Sequence, residues 1–359
     1  MNWRDEYRNR CMNADRAVEA VRSGDRIWIQ SGCGTPKPLI DALVARAGEL
    51  RDVEIAHMKT LGEAAYTRPE YAGVFRHRGL FLGENVREAV QAGRADYTPI
   101  FLGEIDRLIE SGALRIDATF VQVSPPDKHG FVSLGTTVES TKTAALASSM
   151  VIAEVNERMP RTFGDTQLHV SQLSAIVETS RPLLELHSEP ITDLQRRIGE
   201  NVAALIPDGA TIQTGIGGIP DAVLACLGDK KNLGIHTEMF SDGVIDLIES
   251  GAMNAQGGSI HRGKFIVSFV LGTQRLFDFI DENPVFEFRS IGFTNDPYVV
   301  AQNEKMVAIN SALQLDLTGQ VCADSMGTRP FSGFGGQVDF IRGAARSKGG
   351  VPIVALPST

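Results

Sequence analysis

Apolar positions along this chain switch between a strand-like and a helix-like period, and the switch occurs in the same order twice. In the first half "CMNADRAVEAVRSGDRIWIQ" reads as a helix, a Ser-Gly-Asp turn and a β-rich strand. In the second half "ITDLQRRIGENVAALIPDGATIQT" opens with Thr192 and Gln195 at capping-box spacing and places Leu194, Ile198, Val202 and Leu205 on one helix face; a Pro-Asp-Gly turn then leads into a short strand. Each strand runs into a glycine-rich turn, "IWIQSGCGTP" at 27–36 and "ATIQTGIGGIP" at 210–220. A proline then opens a helix, "PKPLIDALVARAGEL" in one copy and "PDAVLACLG" in the other. Both copies return to a strand, "VEIAHM" at 53–58 and "NLGIHTEMF" at 232–240. Five elements in matching order predict an α/β fold made of two homologous α/β domains with mostly parallel sheets. The polar segment "ELHSEPITD", with Pro190, sets the seam, giving domains 1–190 and 191–359.

Length agrees with that division, because 359 residues exceed what one hydrophobic core usually supports. The chain has no apolar run long enough for a membrane span, and "MNWRDEYRNR" lacks the apolar core of a signal peptide. A cytoplasmic protein without membrane partners is expected. The formal charge of -9 comes from 44 acids and 35 bases spread without blocks, which points away from nucleic acid as a partner. Cys11, Cys33, Cys226 and Cys322 show no metal-ligand or disulfide spacing, so no metal is expected.

The second glycine turn offers bare backbone N–H groups and a helix start to an anion over Gly215, Ile216, Gly217, Gly218 and Ile219. It is not a dinucleotide fingerprint, since Pro220 holds the sixth place of G-x-G-x-x-G, and no Gly-Lys-Ser/Thr follows it. Taken alone it reads equally as a tight structural turn. Two further segments shift the balance: "FSGFGGQVDFIRGA" at 331–344 repeats G-x-G-G, and "HTEMFSDG" at 236–243 places an acid where a parallel strand ends, the edge at which open α/β sheets bind ligands.

Together "GIGGIPDAV", "GIHTEMFSDG", "MVAINSALQLDLTGQVCADSMG" and "SGFGGQVDF" resemble the class I coenzyme A transferases, and among them the acetyl-CoA hydrolase/transferase branch. The resemblance implies an active site between the two domains, with Glu238 as nucleophile and CoA contacts at Gly215, Ile216, Gly217, Gly218, Ile219, Leu313 and Gly336. Coenzyme A would then be a substrate, with no tightly bound cofactor. Acyl transfer through a carboxylate passes through tetrahedral oxyanions and requires donors beside the glutamate. Gly335 and Gly336 are candidates for one backbone donor, and the Asn310 amide for a bridge between carboxylate and CoA. The first-half strand ends in His57-Met58 with no acid, so that copy has the scaffold without the nucleophile, and its turn is expected to shape the acyl pocket.

Other residues keep plainer readings. Glu154 interrupts an apolar strand and is expected to be hydrogen-bonded or ion-paired. His236 would share a strand face with Glu238, either tuning it or simply packing. His129, in a turn after a strand, is a candidate for substrate contact. The chain closes on "VPIVALPST", a strand, whereas members of the branch typically continue further. The resulting expectation is a homodimeric CoA-transferase acting on short-chain acyl-CoAs such as acetyl-, butyryl- or 4-hydroxybutyryl-CoA. Net hydrolysis by the same glutamate and a non-catalytic CoA-binding module are the alternatives.

Overall fold

The computed structural model describes residues 2–256 and 260–358. The first half forms a seven-stranded sheet of β1 (Arg26–Ile29), β2 (Val53–His57), β3 (Phe75–Gly79), β4 (Asp96–Tyr97), β5 (Ala118–Val123), β6 (Met150–Asn156) and β7 (Ala175–Thr179), in the order β4-β3-β2-β1-β5-β6-β7. Every pairing in it is parallel. The second half holds β8 (Thr211–Thr214), β9 (Gly234–Ile235), β10 (Met239–Phe240), β11 (Phe269–Val270), β12 (Met306–Ser311) and β13 (Val351–Ala355), ordered β11-β10-β8-β12-β13 with β9 also on β8. Within this sheet the one antiparallel bridge among the described residues is Thr214↔Met239. The mostly parallel two-sheet α/β architecture read from the sequence is therefore the one observed. Residues between β7 and the helix Asp193–Ala203 form no regular element.

Buried parallel strands need side chains that tolerate cover on both faces. All six residues of β5 are buried, and Ile27, Trp28 and Ile29 of β1 have no exposed surface. Two of the polar residues buried in or beside this layer, Gln30 and Glu154, have their polar groups engaged. Gln30 donates from Nε2 to the carbonyls of Leu134 and Thr137, both at 2.9 Å, and accepts at Oε1 from the Gln122 N–H. Glu154, fully buried on β6, accepts from Arg181 Nε at 2.7 Å, Arg181 Nη2 at 2.9 Å and the Thr179 hydroxyl at 2.8 Å. Its structural reading stands.

Two sequence expectations change. Helix Asp193–Ala203 has the Thr192/Gln195 capping box, yet Leu194 and Leu205 are exposed and the buried side is Gly199, Val202 and Ala203. The cause is Gly199, where any Cβ would stand 2.6 Å from the Ala222 carbonyl oxygen. Its absence lets helix Gly218–Ala225 approach on that side and turns the contact face. The segment 232–240, expected as one strand, is instead broken between β9 and β10. At the break the Thr237 hydroxyl takes over backbone partners, donating toward the carbonyls of Thr214 and Met239 and accepting from the Thr214 N–H. Glu238 leaves the strand line there.

Candidate active site

Glu238 opens onto a cleft of about 180 Å³ at the C-terminal ends of β8 and β12. Gln213, Thr214 and Gly215 form one wall, Asn310 and Ser311 another, and the loop Ser332–Gln337 closes it. The first half contributes Phe81 to the lining. A water takes up about 30 Å³, so the cleft accommodates the reacting ends of two substrates and not a nucleotide.

The loop that closes the cleft is held from the first half. Leu82 N–H donates to the Ser332 carbonyl at 2.5 Å, Arg87 Nε donates to the Phe331 carbonyl at 2.7 Å, and the rings of Phe101 and Phe334 lie 5.7 Å apart. The Gly103 N–H reaches Asp339 Oδ2 at 3.0 Å, at the start of helix Gln337–Arg346. Both halves therefore build the surroundings of Glu238.

Around the carboxylate itself, Asn295 Nδ2 donates to Oε2 at 2.9 Å and the Gly336 N–H also donates to it. Gly336 is as close as a backbone can come: an added Cβ would overlap both Glu238 Oε2 and Asn295 Nδ2. Burial pushes Glu238 up to about 7, against the lowering pull of the Asn295 hydrogen bond; Asp339 raises it further, and the Gly336 N–H and Lys59 lower it. Asp339, itself raised to about 6 mainly by burial, accepts from the Gly103 N–H and is near enough to Asn295 for that amide to lower it. A carboxyl group with a value near neutrality in a cleft, held by an amide and a backbone donor, suits nucleophilic attack on an acyl carbon.

The other residues singled out from sequence fall in different places. Gly335 and Gly336 border the cleft beside Glu238, as does Gly215. Gly217 takes φ +104°, open to glycine and strained for other residues, and starts helix Gly218–Ala225. Ile216 and Ile219 turn into apolar clusters, and Leu313 lies on the exposed ribbon that follows β12. Asn310 lines the cleft, but its amide donates to Gln213 Oε1 at 3.1 Å. The amide on Glu238 belongs to Asn295, which "FTNDPY" presents only as a turn residue ahead of a capped helix. His236 is buried, bonded through Nε2 to the Thr294 carbonyl at 2.9 Å, and burial pulls it down to about 4. It packs as a neutral ring, and the broken strand removes the shared face with Glu238. His129 stays in an exposed turn, with its N–H on Asp127. The first-half turn is a buried scaffold: residues 30–36 are all buried, and none lines the cleft.

A carboxylate edged by glycine loops, between two halves built on mostly parallel sheets, lies on a fold of the CoA-transferase type. Residues 1–185 match the acetyl-CoA hydrolase/transferase N-terminal domain and residues 272–359 the C-terminal domain of the same family. The chain belongs to the acetyl-CoA hydrolase/transferase family. It is 47% identical over 359 residues, 100% of this chain and 84% of the relative, to a 4-hydroxybutyrate coenzyme A transferase of Clostridium kluyveri. Over 351 residues, 96% of this chain and 73% of the relative, it is 45% identical to a succinyl-CoA:acetate/propanoyl-CoA:succinate CoA transferase of Fasciola hepatica. Among solved structures, RipA from Yersinia pestis superposes with a TM-score of 0.95 at 32% identity, covering 100% of this chain and 84% of that one.

Proposed function

We propose that this CoA-transferase moves CoA between a short-chain acyl-CoA and a free carboxylate, with Glu238 as the covalent carrier. The supporting observation is the placement of Glu238, between the Asn295 amide and the Gly336 N–H, at a cleft that both halves enclose. Its carboxylate attacks the thioester carbonyl, the C–S bond breaks, and an acyl-glutamyl anhydride and a CoA thiolate form. The thiolate then attacks the glutamyl carbonyl and expels the acyl group as a carboxylate, leaving a glutamyl-CoA thioester. An acceptor carboxylate attacks that thioester and releases the thiolate, which takes the acceptor's acyl carbon and regenerates Glu238. No water or net proton is consumed.

The Gly336 N–H and the Asn295 amide both act on the Glu238 carboxylate, on which negative charge returns in the glutamyl steps and where donors lower a barrier. Gly215, Ile216, Gly217, Gly218, Ile219 and Leu313 remain proposed contacts for CoA along the outer rim, and Gly335 and Asn310 for the reacting groups. The test is an intact-mass spectrum of protein mixed with acetyl-CoA and quenched in acid. A CoA-sized adduct mapping to Glu238 that disappears on adding butyrate or 4-hydroxybutyrate is expected. Free CoA accumulating without an adduct would overturn the transferase mechanism in favour of hydrolysis.

A further inference from the structure

The two glycine turns share the run Ile-Gln-Ser/Thr-Gly-x-Gly, so Gln30 and Gln213 hold equivalent places ahead of the first glycine. The two copies use that side chain differently. Gln30 is saturated, its Nε2 donating to the carbonyls of Leu134 and Thr137 and its Oε1 accepting from the Gln122 N–H. Gln213, only 4% exposed, accepts at Oε1 from Asn310 Nδ2 at 3.1 Å, and among the described residues its Nε2 has no partner. No carbonyl stands there as Leu134 and Thr137 do in the first half, and the side chain lines the cleft instead. The other two carboxamides of the cleft wall, Asn310 and Gln337, donate to Gln213 Oε1 and to the Ser311 carbonyl at 3.3 Å. A nearly buried N–H group without an acceptor is costly, and a substrate oxygen relieves that cost.

The sheet sets this donor across an open floor from the nucleophile. Strand β8 lies between β10, which follows Glu238, and β12, which carries Asn310. Gln213 and Gly215 are two positions apart and share a face of that central line, and the register Thr214↔Ile309 continues into Gly215 beside Asn310. A Cβ on Gly215 would meet nothing nearer than Pro220 Cγ at 3.8 Å, so the floor there is clear. Asn295 and Gly336 are committed to the Glu238 carboxylate. When a Glu238 oxygen bonds to the thioester carbon, the carbonyl electron pair moves onto the acyl oxygen, a different atom from the one they hold. The C=O re-forms as the C–S bond breaks and sulfur leaves as thiolate. The acyl oxygen is charged again in the last step, when the thiolate attacks the acyl carbon of the second anhydride. In the two steps between, the charge is on the glutamyl oxygen.

We propose that Gln213 is a catalytic residue whose Nε2 donates to the acyl oxygen in the first and last steps, with Asn310 holding its carboxamide in place. This rests on the transferase reading above. The experiment measures two rates in the full chain, in Gln213→Met and in Gln213→Glu: formation of the glutamyl-CoA adduct from acetyl-CoA by quenched-flow mass spectrometry, and release of CoA by hydroxylamine from adduct already loaded with excess acetyl-CoA. Release involves only the glutamyl carbonyl. Gln213→Glu keeps the shape and the acceptor for Asn310 while replacing the donor, so a side chain that merely positions Asn310 would survive it. Loss of one oxyanion donor predicts that adduct formation falls roughly 100- to 1,000-fold in both variants, with release within about threefold of the unmodified protein. Adduct formation at the unmodified rate in Gln213→Glu, an equal fall in both rates, or a Gln213→Glu protein that no longer melts cooperatively overturns the proposal and leaves the transferase reading intact. If the unmodified protein forms no glutamyl-CoA adduct, that reading fails and this one with it.

Discussion

Replacing Gly336 by alanine isolates the contact between backbone and nucleophile. Gly336 has φ -89° and ψ 4°, a backbone that alanine adopts freely, so the substitution adds no conformational strain of its own. What it adds is a methyl group overlapping Glu238 Oε2 and Asn295 Nδ2. Relief requires the carboxylate to move away, which breaks the 2.9 Å bond from Asn295 and the bond from the Gly336 N–H. Hydrogen bonds to a charged group are worth about 1.5–3 kcal/mol each, so losing two costs about 3 kcal/mol or more of positioning. That corresponds to a fall of at least about 100-fold in the rate of the covalent step. The assay is the single-turnover rate of glutamyl-CoA formation from acetyl-CoA by quenched-flow mass spectrometry, with calorimetry to show that the fold survives. A rate within about threefold of the unmodified protein, in a folded variant, would refute the assignment of Gly336 and Glu238 to one reacting unit.

The remaining predictions concern proton linkage and stability. Because Glu238 attacks as the carboxylate and its value is raised to about 7, adduct formation should fall about tenfold per pH unit below 7 and level off above it; a flat rate down to pH 5.5 would contradict this. The same raised value means that the folded state holds the proton more tightly than the unfolded chain, so its stabilising contribution is complete below about 4.5 and lost as pH rises through 7. Glu238→Gln should therefore gain stability over the unmodified protein at pH 8 and not at pH 4, by about 1–2 kcal/mol once the cleft's water is allowed for, read from urea unfolding. Arg181→Met strands the fully buried Glu154 carboxylate and should destabilise by about 3 kcal/mol, seen as a lower urea midpoint. Thr192→Ala removes one side of the capping box on helix Asp193–Ala203 and should cost about 1 kcal/mol in the same measurement.

Local chemistry made much of this protein legible in one dimension. The order of strand, glycine turn, proline-led helix and parallel strand is written in short-range signals, since alternation, turn residues and caps act within a few positions of one another. The Thr192/Gln195 box and the two G-x-G-G loops belong to that class, and Glu238 was found through the motifs around it. The helix face failed because Gly199 reads as a weak helix residue, whereas its effect comes from a neighbouring helix that fits only against a missing side chain. The break at Thr237 failed because a hydroxyl replaces ladder bonds only when another strand's carbonyl stands opposite.

What the sequence by itself determined was thus the pair of α/β frameworks and the acid at the end of one strand, because both depend on spacing along the chain. Only the tertiary structure decided what that acid meets. Asn295 lies 57 positions from Glu238, Gly336 arrives from another loop, and Lys59 comes from the other half. Hydrogen bonding and electrostatic attraction depend on distances in space that no spacing along a chain specifies. The second glycine turn lies in the nucleophile's half of the site; the first, in a half whose strand ends without an acid, fixes the backbone of Lys59.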